Sequence, residues 1–342
     1  MDLPHDFSAN INPFSPHPDI MEILGSSLKD ERTLVDYPDP TYCRARRSLA
    51  AYEGIGNSDS ILLTNGEIEL IKLFCEIFAE RGTDAVVTSP TFCEYERFIR
   101  LNEAYAHHVP ITGKKGSEIV DSIIQTCTNR TSVCFVCNPN NPTGGIIGKK
   151  HLIRLADALD DTNTMLYVDE AFIEYEKKES AAKEVSSREN IFVGRSLTKI
   201  LGIPGLRIGY AIGCVKAIEL VSKVQTPWSV NSLARDVAEN IGSLKGCIDE
   251  MVAHVNVERP RLADAIGSIE GLEPFSSHAN FVMVRCKRHT AAQMAEMMRR
   301  EGFLVRGCHT FIGGDKTCIR VAVRTREEND MLIEALGKVC NG

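Results

Sequence analysis

Through the middle of the chain, short apolar runs rich in β-branched residues alternate with longer stretches whose apolar positions recur at helical spacing. The short runs predict strands at 84–88, 132–137, 165–169, 191–194 and 208–212, and the longer ones predict helices at 67–81, 91–102, 149–158 and 215–224. Strands bounded by turn residues and separated by helices predict βαβ units around a mostly parallel sheet. Polar and Gly-rich segments sit at the strand ends, where open sheets of this kind place their ligands. After about Asn231 the pattern changes. Helical stretches at 234–244 and 247–266 lead into segments at 280–285, 291–301 and 318–323, which predict a smaller α+β domain. The first 30 or so residues are Pro-rich, with one helix near 20–27, and are expected to pack against that second domain. The predicted organisation is an N-terminal arm with part of the small domain (1–35), a large domain (36–235) and a small C-terminal domain (236–342).

Composition narrows the picture without redirecting it. The 342 residues are 43% apolar and 25% charged, with a net charge of −7. That balance suits a soluble globular chain and offers no general attraction to nucleic acid or an anionic membrane. A bound phosphate must therefore be gripped locally, by placed arginines and backbone N–H groups. The opening MDLPHDFSANINP has neither the basic stretch nor the apolar run of a signal peptide, and no run approaches a membrane span, so a cytoplasmic location is expected. The twelve cysteines are scattered. Cys134 and Cys137 form a CxxC, but SVCFVCN reads as a buried strand whose residues three apart face opposite ways. Reduced core cysteines are expected, and no metal site.

Four segments carry candidate chemistry. In GRSLTKILGIPGLRIGY (194–210), Lys199 follows a strand, between Ser196 and Thr198 on one side and Arg207 on the other. An amine that is to form an imine must lose its proton, which burial and neighbouring positive charge promote. Hydroxyls and an arginine at this spacing can close around a phosphate. An isolated lysine and arginine of this kind would more often be a surface residue and a salt-bridge partner. In LYVDEAFIEY (166–175), Asp169 ends an apolar strand at the sheet's carboxyl edge, where it can pair with a protonated pyridine nitrogen or merely cap a turn. Strand alternation turns Glu170 away. In CNPNNPTGG (137–145), two Asn-Pro pairs form a rigid loop that can hold the Asn141 amide against a phenolic oxygen. In LLTNGEIELIKLF (62–74), a strand runs through Gly66 into a helix whose first N–H groups, at Glu67 and Ile68, suit a phosphate. Glu67 can also simply favour the helix dipole there.

In this order and spacing the four segments resemble the fold-type I pyridoxal-phosphate (PLP) enzymes of the aspartate aminotransferase superfamily, over nearly the whole chain. Within it the sequence is similar to the histidinol-phosphate aminotransferase branch, and more so to the L-threonine-O-3-phosphate decarboxylases of cobalamin synthesis. The segments that carry this are DFSANINP (6–13), YPDPTY (37–42), DEAFIEY, RSLTKILGIPGLRIGY, TPWSVNSLA (226–234) and RVAVRTREEND (320–330).

The resemblance implies an α/β fold with a large, mostly parallel sheet flanked by helices, plus a smaller α+β domain. It implies PLP as cofactor, held as a Schiff base on Lys199, with Asp169 as the pyridinium partner and Asn141 at the phenolic oxygen. Tyr95 is then the aromatic that stacks on the ring. Ser196, Thr198, Arg207 and the Gly66–Glu67–Ile68 backbone form the phosphate cup. Tyr37 reaches the cofactor phosphate of a neighbouring subunit, which implies a homodimer with its active site at the subunit interface. Arg320 clamps the substrate carboxylate, Arg306 suits a phosphate ester, and Asn10 touches substrate. The implied reaction is decarboxylation of O-phospho-L-threonine, or of O-phospho-L-serine; the alternative is histidinol-phosphate or related amino transfer.

Two departures bear on that choice. Most aminotransferases of the superfamily have Tyr three residues after the pyridinium Asp, and here that residue is Phe172. Losing that hydroxyl should ease protonation of the lysine imine, and it favours the decarboxylases. Conversely, the His-Gly-Gly-Asn stretch expected upstream of DFSANINP is absent from this sequence. Either His5 and its neighbours substitute for it, the substrate differs, or the start codon is misplaced.

Overall fold

The computed structural model describes residues 5–341; residues 1–4 of the predicted N-terminal arm lie outside the described residues. A seven-stranded sheet forms from β1 (Ile61–Thr64), β2 (Asp84–Ser89), β3 (Tyr105–Pro110), β4 (Thr131–Cys137), β5 (Met165–Asp169), β6 (Ile191–Ser196) and β7 (Gly209–Gly213). Its order is β1-β7-β6-β5-β4-β2-β3. β6, β5, β4, β2 and β3 run parallel, while β7 is antiparallel to both β6 and β1. The five predicted strands and the one entering Gly66 are all present. β3, whose YAHHVP sequence lacks an apolar run, was not predicted. It lies at the sheet edge with half its residues exposed, so its polar side chains cost nothing in burial.

Burial on both faces explains the near-continuous apolar character of the central strands. In β4, Cys134 and Val136 join one hydrophobic core, while Val133, Phe135 and Cys137 join the other. The two cysteines of the CxxC therefore sit on opposite faces, as strand alternation requires, and both are free and buried. On β6 the same alternation sends Arg195 inward. There it meets Glu53 (3.1 Å), Glu170 (3.2 Å) and Glu174 (3.1 Å), while Tyr210 donates to Glu53. Arg195, Glu53 and Glu170 are all buried, and Glu170 also accepts from the Ala181 N–H and the Ser180 hydroxyl. This accounts for the expected turning away of Glu170: it serves an ion cluster on the face opposite Asp169.

The second lobe carries a four-stranded antiparallel sheet of β8 (Leu272–Pro274), β9 (Phe281–Cys286), β10 (Arg306–Gly307) and β11 (Cys318–Ala322), in the order β10-β11-β9-β8. The 23-residue helix Lys245–Gly267 and the helices Ala291–Arg300 and Arg326–Asn341 pack with it. The N-terminal segment is tied to this lobe: His5 and Asp6 pair with Phe303 and Leu304, and the Ala322 N–H donates to the Phe7 carbonyl at 2.9 Å. Among the described residues, no helix is long and apolar enough to cross a membrane.

Candidate active site

A cavity of about 340 Å³ opens between the carboxyl ends of the large sheet's strands and the smaller lobe. Each wall comes from a segment singled out by the sequence. Lys199 stands in the short helix Leu197–Ile200 that directly follows β6, so the strand end delivers it to the sheet's carboxyl edge. Its amine is mostly shielded from water. That shielding, together with the Arg320 and Arg207 guanidiniums, holds its pKa below the ordinary lysine value, against the pull of Glu67 and Asp169. Such an amine is available as a nucleophile. Beside it, the hydroxyls of Ser196 and Thr198 bond to each other at 2.7 Å.

Asp169 closes β5 and is buried in the cavity wall. One carboxylate oxygen accepts from the Ala171 N–H at 2.9 Å and the other from the Tyr95 hydroxyl. This fixes the place of Tyr95. The expectation that it stacks on a bound ring does not hold, because its side chain is fully buried behind Asp169, with its own ring stacked on Phe135 at 5.1 Å. Of the two aromatics in this segment, the one that lines the cavity is Phe92, three residues earlier, set edge-on to Tyr95. Phe92 precedes the helix Glu94–Leu101, whereas Tyr95 lies inside it and faces the core. Its sequence signal was present, an aromatic directly after SPT at the end of β2, but helical periodicity could not separate it from Tyr95.

Gly66 has φ of +74°, a conformation that favours glycine, and a Cβ there would lie 2.6 Å from Arg207 Nη2. Both properties let the Arg207 guanidinium press against the start of the helix Glu67–Phe78, whose leading N–H groups at Glu67 and Ile68 have no intrahelical acceptor. Arg207 itself holds φ of +55°, a strained conformation for a residue with a Cβ and of a kind that concentrates at functional sites. Glu67 departs from the helix-dipole reading. Its side chain turns inward, next to Tyr167 and Asp169, and burial first, then the charge of Asp169, drives its carboxyl well above the usual range.

From the other side come Arg306 on β10 and Arg320 on β11. Arg320 donates to the Asn141 side-chain carbonyl and to the Ser8 backbone carbonyl, and its Cζ lies 5.2 Å from the centre of the Phe281 ring. Burial pushes its pKa down to about 10. Arg306 lies over Phe311 at 5.3 Å. Asn10 is buried in the wall, with its Oδ1 lacking a partner among the described residues, as does Arg320 Nε. Phe172 lines the cavity and packs edge-on to Phe281. Of the residues expected at the site, Lys199, Asp169, Asn141, Glu67, Ile68, Ser196, Thr198, Arg207, Asn10, Arg306 and Arg320 line this one cavity. Gly66 backs it, and Tyr37 stands outside, 79% exposed, its ring 4.7 Å from that of Trp228.

Comparison with known proteins agrees with this geometry. The model of the family described as aminotransferase class I and II matches residues 5–336. A putative threonine-phosphate decarboxylase of Caldanaerobacter subterraneus is 33% identical, over 96% of this chain and 88% of its own. A histidinol-phosphate aminotransferase of Methanothermobacter thermautotrophicus is 30% identical, over 97% and 87%. Among solved structures, the histidinol-phosphate aminotransferase from Clostridium acetobutylicum superposes with a TM-score of 0.90 at 27% identity, over 98% of this chain and 99% of its own. The family depends on PLP and its members are typically homodimers. With its fold-type I architecture and this cavity, the chain belongs to the aminotransferase class I and II family of PLP-dependent enzymes.

Proposed function

We propose that this chain decarboxylates an O-phosphorylated amino acid, O-phospho-L-threonine first and O-phospho-L-serine second, with PLP held on Lys199. The observation that carries the reading is three guanidiniums facing one cavity without an ion-pair partner among the described residues: Arg207, Arg306 and Arg320. Arg320 is buried, and a buried cation without a counter-ion is costly, while Arg207 and Arg306 present exposed guanidiniums to the same space, so the cavity calls for anions. Arg207, beside the open helix start, suits the cofactor phosphate. Arg320 suits a carboxylate and Arg306 a phosphate ester, which together describe a phosphorylated amino acid.

The wall residues fit the cofactor. Lys199 offers a shielded amine, its pKa lowered by burial and by the Arg320 and Arg207 guanidiniums, for the imine. Asp169 offers a buried carboxylate for a ring nitrogen, Phe92 an apolar face for the ring, and the Asn141 amide a donor for the phenolic oxygen. When bound, PLP supplies an electron sink for the bond broken at the substrate's α-carbon. The chain's own task is orientation. Arg320 and Arg306, gripping the two anionic ends, would set which α-carbon bond stands perpendicular to the ring. Lys199, which lines the same cavity, would be the residue to return a proton to that carbon. Threonine phosphate would then yield (R)-1-amino-2-propanol O-2-phosphate and CO2, and serine phosphate would yield ethanolamine phosphate and CO2. Tyr37, exposed and outside its own cavity, is free to reach a second copy's cofactor phosphate in a homodimer.

The alternative is amino transfer from histidinol phosphate, and relatives of similar identity carry that name. Phe172 favours decarboxylation, since no hydroxyl stands there to donate to the phenolic oxygen. The deciding experiment incubates the PLP-loaded protein with each phosphorylated amino acid in the absence of a keto acid and measures CO2. Release of CO2 supports the proposal. No release, with glutamate formed from histidinol phosphate and 2-oxoglutarate, overturns it in favour of the aminotransferase.

A further inference from the structure

Two acidic residues line the cavity, and of their side chains only that of Asp169 has a role so far. Glu67 reaches the same place from a different element. Its backbone begins the helix Glu67–Phe78, but its carboxyl turns inward, where Oε1 accepts from the Tyr167 hydroxyl at 3.4 Å and the carboxyl comes within hydrogen-bonding reach of the Asp169 carboxyl. Room for it exists because residue 194 on β6 is glycine: a Cβ there would lie 2.5 Å from Glu67 Oε1 and would collide with the Tyr167 hydroxyl.

Two carboxyls in contact and shut away from water cannot both be ionised, so the pair must hold one proton. Its neighbours decide which carboxyl keeps it. Asp169 already accepts from the Tyr95 hydroxyl and the Ala171 N–H, which favour its charged form. Among the described residues, Glu67 has only the Tyr167 hydroxyl besides Asp169 itself. The other titratable groups facing the pair are Lys199 and the Cys137 thiol, and neither hydrogen-bonds with Glu67.

We propose that Glu67 is a positioning residue: as a carboxylic acid sealed behind the cavity wall, it donates a hydrogen bond to Asp169 and holds that carboxylate, the pair's single negative charge, toward the cofactor's ring nitrogen. The inference rests on the reading of Asp169 as the ring-nitrogen partner. It gives the pair the charge that balances one protonated heterocyclic nitrogen, and it makes Gly194 part of the site, as the residue whose missing Cβ admits the second carboxyl.

The test compares Glu67→Gln, whose amide keeps a neutral donor, with Glu67→Leu, which has none. In protein without cofactor at neutral pH, the wild-type-minus-Glu67→Gln infrared difference spectrum is expected to show a protonated-carboxyl band, the signal of Glu170 being common to both proteins. PLP affinity, measured by equilibrium dialysis, should stay within about threefold in Glu67→Gln and weaken by roughly ten- to a hundredfold in Glu67→Leu, as expected for a lost hydrogen bond to a charged group. A difference spectrum without a protonated-carboxyl band overturns the inference. So does equal weakening in both variants, or wild-type affinity in both. Should Glu67→Leu fail to fold, the infrared comparison and the Glu67→Gln affinity still decide. Failure of the wild type itself to bind PLP would instead sink the reading of the site, whatever Glu67 does.

Discussion

Arg320 and Asn141 meet across the cleft between the two lobes, the guanidinium donating to the side-chain carbonyl of the asparagine. The contact joins the loop after β4 to β11, 179 residues later in the chain. It also settles the orientation of the Asn141 amide: with Oδ1 occupied, its NH2 is left as the donor that an anionic oxygen in the cavity can use.

On the proposed reading Arg320 serves two ends at once, holding Asn141 and gripping the substrate carboxylate. Arg320→Met should remove the carboxylate clamp and free Asn141 to turn, lowering kcat/KM by roughly a hundredfold or more, in line with the loss of charge-assisted hydrogen bonds worth about 1.5–3 kcal/mol each. Far-ultraviolet circular dichroism should be unchanged. Steady-state kinetics on the phosphorylated substrate provide the check, and a near-normal kcat/KM would remove Arg320 from the substrate site.

The depressed pKa of Lys199 has a direct consequence for pH. A lowered value means that more of the amine is neutral at any given pH, so imine formation with added PLP should persist below the pH at which an exposed lysine reacts. Borohydride trapping followed by peptide mapping, over a pH series, should find the label at Lys199, and Lys199→Ala should lose the visible imine absorbance. A reaction midpoint at the ordinary lysine value would contradict the shielding argument.

Phe172 can be tested by restoring the hydroxyl. Phe172→Tyr places a donor at the cavity wall, where it should stabilise the phenolate and lower the pH at which the imine absorbance titrates, by about one unit for one good hydrogen bond. A spectrophotometric pH titration of the two proteins measures this directly. An unchanged midpoint would mean that residue 172 does not face the phenolic oxygen.

Arg195 concerns stability alone. Arg195→Met strips the buried cation from Glu53, Glu170 and Glu174, leaving Glu170 with no cation among the described residues and Glu53 and Glu174 with only the more exposed Lys177, 3.8 and 3.3 Å away. Removing one partner of a buried pair typically costs about 3–5 kcal/mol, and urea unfolding should register a loss of that order. Even with Arg195 in place, burial raises the Glu170 pKa to about 7, above its ordinary value of 4.5. A carboxyl raised in the folded state costs stability once it ionises, so the variant should become less stable as pH rises through 7 and above, and recover as pH falls toward 5. A loss independent of pH would mean that packing, and not charge, is what Arg195 supplies.

The large lobe was legible because its central strands are buried on both faces and must be apolar, and because turn residues punctuate them. β3 escaped for the opposite reason. An edge strand exposes its side chains, and nothing in Tyr105–Pro110 marks it as a strand except the partner it finds in β2. Asp169 and Lys199 were readable from position alone, each at the end of an apolar strand whose direction brings it to the sheet's carboxyl edge.

What the sequence determined by itself is thus the order of the elements and the residues they carry to the cavity: Lys199, Asp169, Asn141 and Arg207, with Arg306 and Arg320 added by resemblance. Tertiary structure alone decided which aromatic faces the cavity, because Phe92 and Tyr95 are adjacent on a helical wheel and only packing against Phe135 and Asp169 buries one and leaves the other in the wall. It decided too that Glu67 turns inward. That choice depends on the absence of a side chain at Gly194, 127 residues away along the chain, and local sequence carries no information about such a gap.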